Sequence, residues 1–317
     1  MTNEVLDVLK FGWAVDLKVM TDEIGINNTT WKVGDSAWLT RYTLDDVDRV
    51  SLEMNLLEHL NDKHVADSSG LKVTEIIKTR QGNKIYKYGK YLWRLSKHMD
   101  GEMPSPEDAS LYPIISKGLG DFHRILREVP LSFAVTNNQL IQAVERYVYQ
   151  FLNNSQEINH KSVINDTESE NYILIYDAAQ RLSKNFEKIQ KLPVQLIHGD
   201  FTHPNLRINK DHSKLTGVLD LEFCSVDPAI FDLASVVLTL FTRSKLRDPL
   251  KLYKEIIITY EDRGGEVEPD LLEVAILAKK LDSYFYHRER LLNGRGSVDT
   301  YLRQIEQLKL VLSIFDR

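Results

Sequence analysis

The hydrophobic pattern of this 317-residue chain changes from a strand period to a helix period near residue 97. Between about Thr30 and Leu95, short segments rich in aromatic and β-branched residues alternate with turns, as in NNTTWKV and SAWLTRYT on either side of GD. One segment there, DDVDRVSLEMNLLEHL, has apolar residues at helical spacing, and helical spacing prevails in the rest of the chain. The pattern predicts an α+β fold: a small antiparallel sheet with one helix, then a larger, mainly helical region.

The segment between the two patterns, SKHMDGEMPSPED, contains Gly101, Pro104 and Pro106, which interrupt regular structure. At roughly 100 to 200 residues per domain, a chain of this length holds about two domains. We therefore predict an N-terminal domain over 1–97, a C-terminal domain over 98–317 and a hinge at about 96–103.

Cysteine content and apolar runs indicate the environment of the chain. The single cysteine, Cys224, cannot form an internal disulfide, and the first residues lack the basic start and unbroken apolar run of a secretion signal. The apolar segment FDLASVVLTLF at 231–241 is shorter than the roughly 18 residues that a membrane helix needs. These features predict a cytoplasmic protein without a membrane span.

The net charge of −6 is unevenly distributed. The first 97 residues hold 14 basic and 14 acidic residues, so the whole surplus of acidic residues lies in 98–317. An acidic second half repels a phosphate backbone, which disfavours a nucleic-acid partner, and it attracts a small molecule that carries amines. Surplus carboxylates that only keep the surface soluble are the alternative.

Three oxygen-bearing side chains define the candidate reaction centre. In HGDFTHPN, Asp200 precedes Asn205 by five residues, and Asp220 follows the apolar run GVL fifteen residues later. Phosphoryl transfer needs a carboxylate that orients and deprotonates the attacking hydroxyl, and hard oxygen ligands for the magnesium on the phosphates. Asp200 fits the first role, and Asn205 and Asp220 fit the second.

The spacing HGDxxxxN, followed by LDLEFCSVDPAIFDLA, resembles the aminoglycoside phosphotransferase and choline kinase superfamily. The resemblance implies a two-lobed, protein-kinase-like fold and transfer of the γ-phosphate of ATP or GTP. It implies that Asp200 is the catalytic base and that Asn205 and Asp220 bind Mg²⁺. It also implies supporting roles for three residues: His198 at the start of the catalytic loop, Glu222 beside the metal and Asp232 as a brace of the loop.

The N-terminal lobe departs from the pattern of this superfamily, which has a lysine or arginine on the third strand that holds the phosphates and pairs with a helix glutamate. Glu53 is the candidate glutamate. The candidate strand SAWLTRYT has no lysine, and its only basic residue is Arg41; if Thr40 occupies the expected position, the phosphate clamp is missing or comes from elsewhere. By resemblance, Ser96 and His98 lie in the hinge that receives the adenine, and Asn27 and Asn28 in the loop that covers the phosphates.

The acceptor is predicted to be a small alcohol. About eleven residues separate Asp220 from Asp232, too few for the activation segment with which a protein kinase docks a peptide. His203, Tyr284 and His287 are candidate acceptor contacts. An aminoglycoside, an amino alcohol or homoserine would fit the acidic C-terminal half, and a neutral sugar or a macrolide stays open.

Two other functions fit parts of the sequence. A kinase-like nucleotide-binding protein without catalysis would explain the missing strand lysine. A metal hydrolase would use His198, Asp200, His203 and Asp220, although the chain lacks a helical HExxH ligand pair.

Overall fold

The computed structural model describes residues 3–15, 19–24, 28–43, 47–63, 69–135, 140–153, 168–246 and 248–316. Asn27 therefore lies outside the described residues. The chain forms two compact units. The first unit is Met1–Met103, Ser132–Thr136 and Asn205–Cys224, and the second unit is Pro104–Leu131, Asn137–Pro204 and Ser225–Arg317.

The first unit contains most of the strands. Its elements are α1 (Asn3–Val8), β1 (Val19–Ile24), β2 (Thr29–Val33), β3 (Ala37–Tyr42), α2 (Val47–Lys63), β4 (Lys72–Val73), β5 (Ile76–Ile77), β6 (Tyr86–Tyr88), β7 (Tyr91–Lys97), β9 (Leu206–Ile208) and β10 (Leu215–Val218). Six strands form an antiparallel sheet in the order β1-β2-β3-β7-β5, with β6 also paired to β7. The predicted sheet with one helix is therefore present, while α1 and β1 were not predicted.

An aromatic core forms where α1 meets the larger sheet. Trp31 of β2 and Trp93 of β7 stack with ring centroids 5.5 Å apart. Val8 and Leu9 are fully buried in the same cluster. Because strand side chains alternate between faces, these residues define the α1 face of the sheet, and neighbouring strand residues point to the other face.

Helix α2 follows the predicted periodicity. Of the four residues predicted for its apolar stripe, Val50, Met54 and Leu57 are buried, whereas Val47 in the first turn is 45% exposed. Glu53 at the border of that stripe is also buried, with only 1% of its surface exposed. A buried carboxylate requires a partner, which is described with the site below.

A second, three-stranded sheet explains why Asn205–Cys224 belongs to the first unit rather than following the predicted division at residue 97. β10 pairs in parallel with β4 and antiparallel with β9. The backbone of Glu102 adds an isolated bridge to Ile208 of β9. Gly101 precedes this bridge with φ of 114°, and a Cβ there would lie 2.8 Å from the carbonyl oxygen of Ile208, so only glycine fits without strain. The hinge at 96–103 stays a prediction.

The second unit is mainly helical. Its elements are α3 (Tyr112–Leu126), α4 (Leu140–Asn153), α5 (Glu168–Ser183), α6 (Phe186–Gln190), β8 (Val194–Ile197), β11 (Ser225–Pro228), α7 (Ile230–Arg243), α8 (Leu250–Glu261), α9 (Pro269–Leu292) and α10 (Val298–Phe315). Helix α7 is buried on nearly all sides, and it packs against α3, α9 and α10. β8 and β11 form a two-stranded antiparallel ladder. The α+β fold class predicted from the sequence is confirmed.

None of the helices that the structure describes combines the length and the apolar character needed to cross a membrane.

Candidate active site

The segment with Asp200 follows β8 in the second unit and is held by Asp232 from the first turn of α7. The backbone N–H groups of His198 and Gly199 donate to the Asp232 carboxylate at 2.7 Å and 2.9 Å. Gly199 has φ of 82°, a conformation in which glycine avoids strain. Two bonds to one carboxylate fix the backbone immediately before Asp200.

Asp232 is fully buried and remains ionised because of its neighbours. Burial alone would raise its pKa, but hydrogen bonding to His123, the charges of His123 and His198, and the His198 N–H together hold the pKa below its usual value. His123 Nε2 lies 3.0 Å from the Asp232 carboxylate, and His123 Nδ1 lies 2.7 Å from the Tyr260 hydroxyl. Asp232 is thus the centre of a buried network of hydrogen bonds that includes His123 and Tyr260.

Asp200 itself is half-buried, and its surroundings order it further. Its backbone N–H donates to Nδ1 of the buried His198 at 3.1 Å, and the Thr202 hydroxyl donates to its carboxylate at 3.3 Å. Lys279 of α9 donates to the carbonyl oxygen of Gly199 at 2.7 Å. The loop is therefore tied to two helices of the second unit, α7 and α9.

Two further carboxylates act electrostatically near Asp200. Burial raises the pKa of Asp282, and the charges of Asp227 and Asp200 raise it further, while Lys279 lowers it. Burial also raises the pKa of Asp227, although Ser225, backbone N–H groups at the start of α4 and Lys279 oppose the increase. Asp282 and Asp227 thus both interact with Lys279, and Asp282 also interacts with Asp200, a concentration of negative charge that sequence reasoning did not identify.

Asn205 and Asp220 lie in the first unit, at the same end of the β9–β10 ladder. Leu206 pairs with Val218, and the N–H of Leu219 donates to the Asn205 carbonyl oxygen at 2.8 Å. Asp220 has φ of 59°, a left-handed conformation that is uncommon outside glycine and is found in turns and at functional sites.

The donor types of this pair fit a magnesium ion. Across the part of the chain that the structure describes, no group of three or more His, Cys, Asp or Glu side chains could form a metal site by itself. Mg²⁺ usually binds one or two protein oxygens together with substrate phosphates and water. One amide oxygen and one carboxylate match that requirement.

Glu222 is fixed beside this pair by residues of the first unit. Asn28 Nδ2 donates to the Glu222 carboxylate at 3.0 Å, and Arg49 donates to the Glu222 carbonyl oxygen at 2.8 Å. Asn28 directly precedes β2. The start of β2 is thereby joined to the segment that follows Asp220.

Glu53 pairs with Arg94 of β7 and not with Arg41, which corrects the pairing expected from the sequence. The Arg94 guanidinium donates to Glu53 at 2.6 Å, and the Tyr42 hydroxyl donates to the same carboxylate at 2.8 Å. Arg41 lies on the α1 face, 3.6 Å from Glu4. The reason is strand alternation, because Thr40, and not Arg41, shares the face of β3 that looks toward α2. Sequence reasoning missed Arg94.

Ser96 and His98 lie at the end of the larger sheet. Ser96 is buried and pairs with Trp38 of β3 and Ile76 of β5. The backbone N–H of His98 donates to the Ser36 carbonyl oxygen at 2.7 Å, and its ring accepts a bond of 3.0 Å from the Trp38 indole. The ring of His98 is exposed, whereas the Ser96 side chain is not.

The three acceptor candidates differ in accessibility. Tyr284 is buried, with 3% of its surface exposed, and its hydroxyl lies 3.3 Å from that of Tyr301, so it is a core residue and not the acceptor contact that we predicted. His203 and His287 are half-buried. Burial and the charge of Arg243 lower the pKa of His203, while Asp200 opposes them. His203 also precedes Pro204, after which the chain enters the first unit.

Three solved structures have a similar fold over nearly the whole chain. The structure of APH(2")-IIia with GDP and kanamycin has a TM-score of 0.69 at 14% identity, covering 98% of this chain and 99% of that one. Amicoumacin kinase hAmiN with AMP-PNP, Ca²⁺ and Ami has a TM-score of 0.71 at 12% identity, covering 98% and 93%. Spectinomycin phosphotransferase APH(9)-Ia with ADP and spectinomycin has a TM-score of 0.68 at 14% identity, covering 100% and 99%.

At these identities the likeness shows the kinase-like fold and nothing finer. No curated protein sequence matches the chain. The family evidence comes from residues 18–265, which match the model of the phosphotransferase enzyme family. That match covers most of the chain and includes Asp200, Asn205 and Asp220. The chain therefore belongs to the phosphotransferase enzyme family, whose members transfer a phosphoryl group to a hydroxyl of a small molecule.

Proposed function

We propose that the chain transfers the γ-phosphoryl group of ATP or GTP to a hydroxyl of an amine-bearing small molecule, such as an aminoglycoside or an amino alcohol. The observation that carries this proposal is the negative charge around Asp200: the buried Asp282 interacts with both Asp200 and Asp227, and the charge of Lys279 opposes these repulsions. A protonated amine on the acceptor would offset the excess negative charge and bring its hydroxyl to Asp200.

Asp200 is the proposed general base. As the acceptor oxygen bonds to the γ-phosphorus, the hydroxyl proton passes to the Asp200 carboxylate, and the bond to the β–γ bridging oxygen breaks to release ADP or GDP. Little covalent chemistry is required of the protein, so the main contribution is alignment of acceptor and phosphate. The hydrogen bonds from His198 and Gly199 to Asp232 support this role because they immobilise the loop.

Asn205 and Asp220 are the proposed ligands of Mg²⁺. When bound, the ion would neutralise charge on the nucleotide phosphates. The fixed backbone at Asp220 and the hydrogen bonds to Glu222 support a preformed set of oxygen donors at this end of β9 and β10. Ser96 and His98 stay candidates for contact with the base of the nucleotide, the former through its backbone.

The acceptor class is supported by several further features. All of the surplus negative charge lies in 98–317. The half-buried His203 and His287 remain candidate acceptor contacts. Proteins of similar fold have been solved in complexes with kanamycin, gentamicin and spectinomycin.

The first test is a thermal-shift titration with ATP and GTP, with and without Mg²⁺, on the wild type and Asp220→Asn. Asparagine tolerates the positive φ at this position, so the variant removes charge with little backbone strain. We expect a magnesium-dependent rise in Tm with one nucleotide, because a ligand that binds only the folded state stabilises it, and we expect the variant to lose that rise. Absence of a shift with either nucleotide would contradict the proposal.

The second test measures nucleotide consumption with pairs of alcohols that differ only in an amine. We expect turnover with the amine-bearing member, and a KM for it about 10-fold higher in Asp282→Asn, since a charge-assisted hydrogen bond contributes about 1.5 to 3 kcal/mol. The neutral member should respond little to this variant. Turnover of neutral alcohols alone would exclude the amine preference, and tight nucleotide binding without turnover of any acceptor would favour a nucleotide-binding protein without catalysis.

A further inference from the structure

The face of β3 that looks toward α2 has no basic residue, and the cation on that face comes from the neighbouring strand β7, where Arg94 pairs with Thr40. We propose that Arg94 of β7 contacts the phosphates of the bound nucleotide, in the place that a basic residue on β3 would otherwise take. This inference rests on the proposed nucleotide-dependent function and adds to it a phosphate-binding residue that comes from a different strand.

The register of the sheet allows a residue of β7 to take the position that is expected for a residue of β3. Thr40 of β3 pairs directly with Arg94 of β7. Directly paired residues of an antiparallel ladder project from the same face with Cβ atoms about 4.5 to 5.5 Å apart. A side chain as long as arginine therefore reaches from β7 over the buried Thr40.

Arg94 is anchored in the manner required of a phosphate clamp. Its guanidinium donates to Glu53 of α2 at 2.6 Å and lies over the Tyr42 ring, 5.6 Å from the centroid. Tyr42 bonds the other oxygen of Glu53 at 2.8 Å. The helix glutamate thus orients an arginine from β7 through two fixed contacts.

Most of the hydrogen-bonding capacity of Arg94 is unused within the described residues. A guanidinium has five N–H donors, and among those residues Arg94 makes a single hydrogen bond, to Glu53. Its Nε is buried and has no partner in the described part of the chain. Because unpaired donors on a buried cation are costly, an anionic ligand is the expected partner.

The charge environment indicates which anion this is. Burial would lower the pKa of Arg94, but Tyr42, Glu53 and Asp220 raise it above its usual value, so the guanidinium stays charged. Asp220, one of the two proposed magnesium ligands, is therefore close enough to Arg94 and Tyr42 for its charge to affect both. The polyphosphate of a nucleotide is an anion that a metal ion and a basic side chain hold together in phosphotransferases, and it therefore fits this arrangement.

Arg41 does not compete for this role. Its guanidinium lies 4.6 Å from the Tyr91 ring centroid and 5.4 Å from that of Trp31, on the opposite face of the sheet. It is the matched control, since it is also a strand arginine with one carboxylate partner.

The experiment compares the affinity of each nucleotide, with Mg²⁺, with that of its own nucleoside, by calorimetric titration. We expect Arg94→Met to weaken binding of ATP or GTP by roughly 10- to 100-fold while the affinity for adenosine or guanosine stays within about twofold. Arg41→Met should change neither affinity. The double variant Thr40→Lys/Arg94→Met moves a cation to the paired strand position and should recover most of the lost affinity.

Folding of the variants is controlled as follows. Arg94→Met leaves Glu53 without its cation, so Glu53→Gln/Arg94→Met, which leaves no buried charge there, is measured in parallel and should show the same phosphate-specific loss. Unchanged nucleotide affinity in this double variant, or equal losses for nucleotide and nucleoside, would overturn the role of Arg94 alone. Absence of nucleotide binding by the wild type would overturn the proposed function as well.

Discussion

Lys279 of α9 donates a 2.7 Å hydrogen bond to the carbonyl oxygen of Gly199, the residue before Asp200. Asp232 holds the N–H side of the same short segment. The backbone before Asp200 is thus fixed by a cation on its carbonyl and by an anion on its amides, each from a different helix.

We predict that Lys279→Met lowers kcat about 10-fold, because a hydrogen bond from a charged group contributes about 1.5 to 3 kcal/mol and here positions the base. Nucleotide KM should change less than about twofold, since Lys279 acts through Gly199. Steady-state kinetics would measure both. Lys254→Met, which removes an exposed lysine of α8, is the control. A change in nucleotide KM without a change in kcat would contradict the positioning role.

We predict that Asp200→Asn lowers turnover by about 10² to 10⁴, the usual contribution of a general base. Nucleotide affinity should change little, and Tm should stay close to that of the wild type because the carboxylate is half-buried and asparagine keeps an acceptor for Thr202. Single-turnover rates and nucleotide titrations would separate the two effects. Asp262→Asn, at an exposed position after α8, controls for loss of charge; wild-type turnover in Asp200→Asn would exclude the assignment.

We predict that the free energy of unfolding increases above neutral pH because of the buried Lys280. Burial, followed by the charge of Arg243, lowers the pKa of Lys280 to about 7, whereas the lysine of the unfolded chain has its ordinary pKa of about 10.5. Between these values the unfolded state binds more protons, so the free energy of unfolding rises with pH, by up to about 1.4 kcal/mol per pH unit.

Urea unfolding of the wild type and Lys280→Met from pH 6.5 to 9 would test this prediction. The wild type should gain stability relative to the variant as pH increases, because all other groups titrate in both proteins. In the wild type, the neutral amine of Lys280 would still have two N–H groups to donate to Gln304 and Gln307, which accept from Lys280 in the structure. Parallel stability curves would contradict the lowered pKa.

We predict that Gly101→Ala destabilises the protein more than Gly82→Ala, by about 1 to 2 kcal/mol, measured by urea unfolding. Both glycines have positive φ, 114° and 81°, but a Cβ meets the Ile208 carbonyl oxygen at 2.8 Å only at Gly101, whereas nothing lies within 4 Å at Gly82. Equal losses of stability would mean that the close approach to β9 is relaxed without cost.

Sequence patterns predicted those helices and strands whose residues follow a regular apolar spacing or are bounded by turn residues. The apolar spacing of Val50, Met54 and Leu57 predicted α2, and turn residues between apolar runs predicted β2 and β3. After β8, the strands β9 and β10 are only three and four residues long, and β10 pairs with β4, which is distant in sequence, so local patterns do not define this sheet.

The pairing of Arg94 with Glu53 could not be read from linear order. It depends on the register that sets Arg94 opposite Thr40, and register follows from pairing between strands. Tyr284 illustrates the opposite error: it was predicted to contact the acceptor, yet this tyrosine is one of the buried residues of α9. Asp200, Asn205 and Asp220 could be proposed from the sequence because their spacing is local.

Val73 of β4 pairs with Val218 of β10, so β4 is synthesised long before the strand with which it pairs. When the ribosome has completed residue 103, β4 has no β10 to pair with. At about 5 to 20 residues per second, roughly 6 to 23 seconds pass before that strand is made. During this interval the nascent chain exposes an unpaired strand edge, a surface to which chaperones and other chains bind. The first third of the polypeptide is thus made early, while its smaller sheet is completed only after the segment with Asp200 has been made.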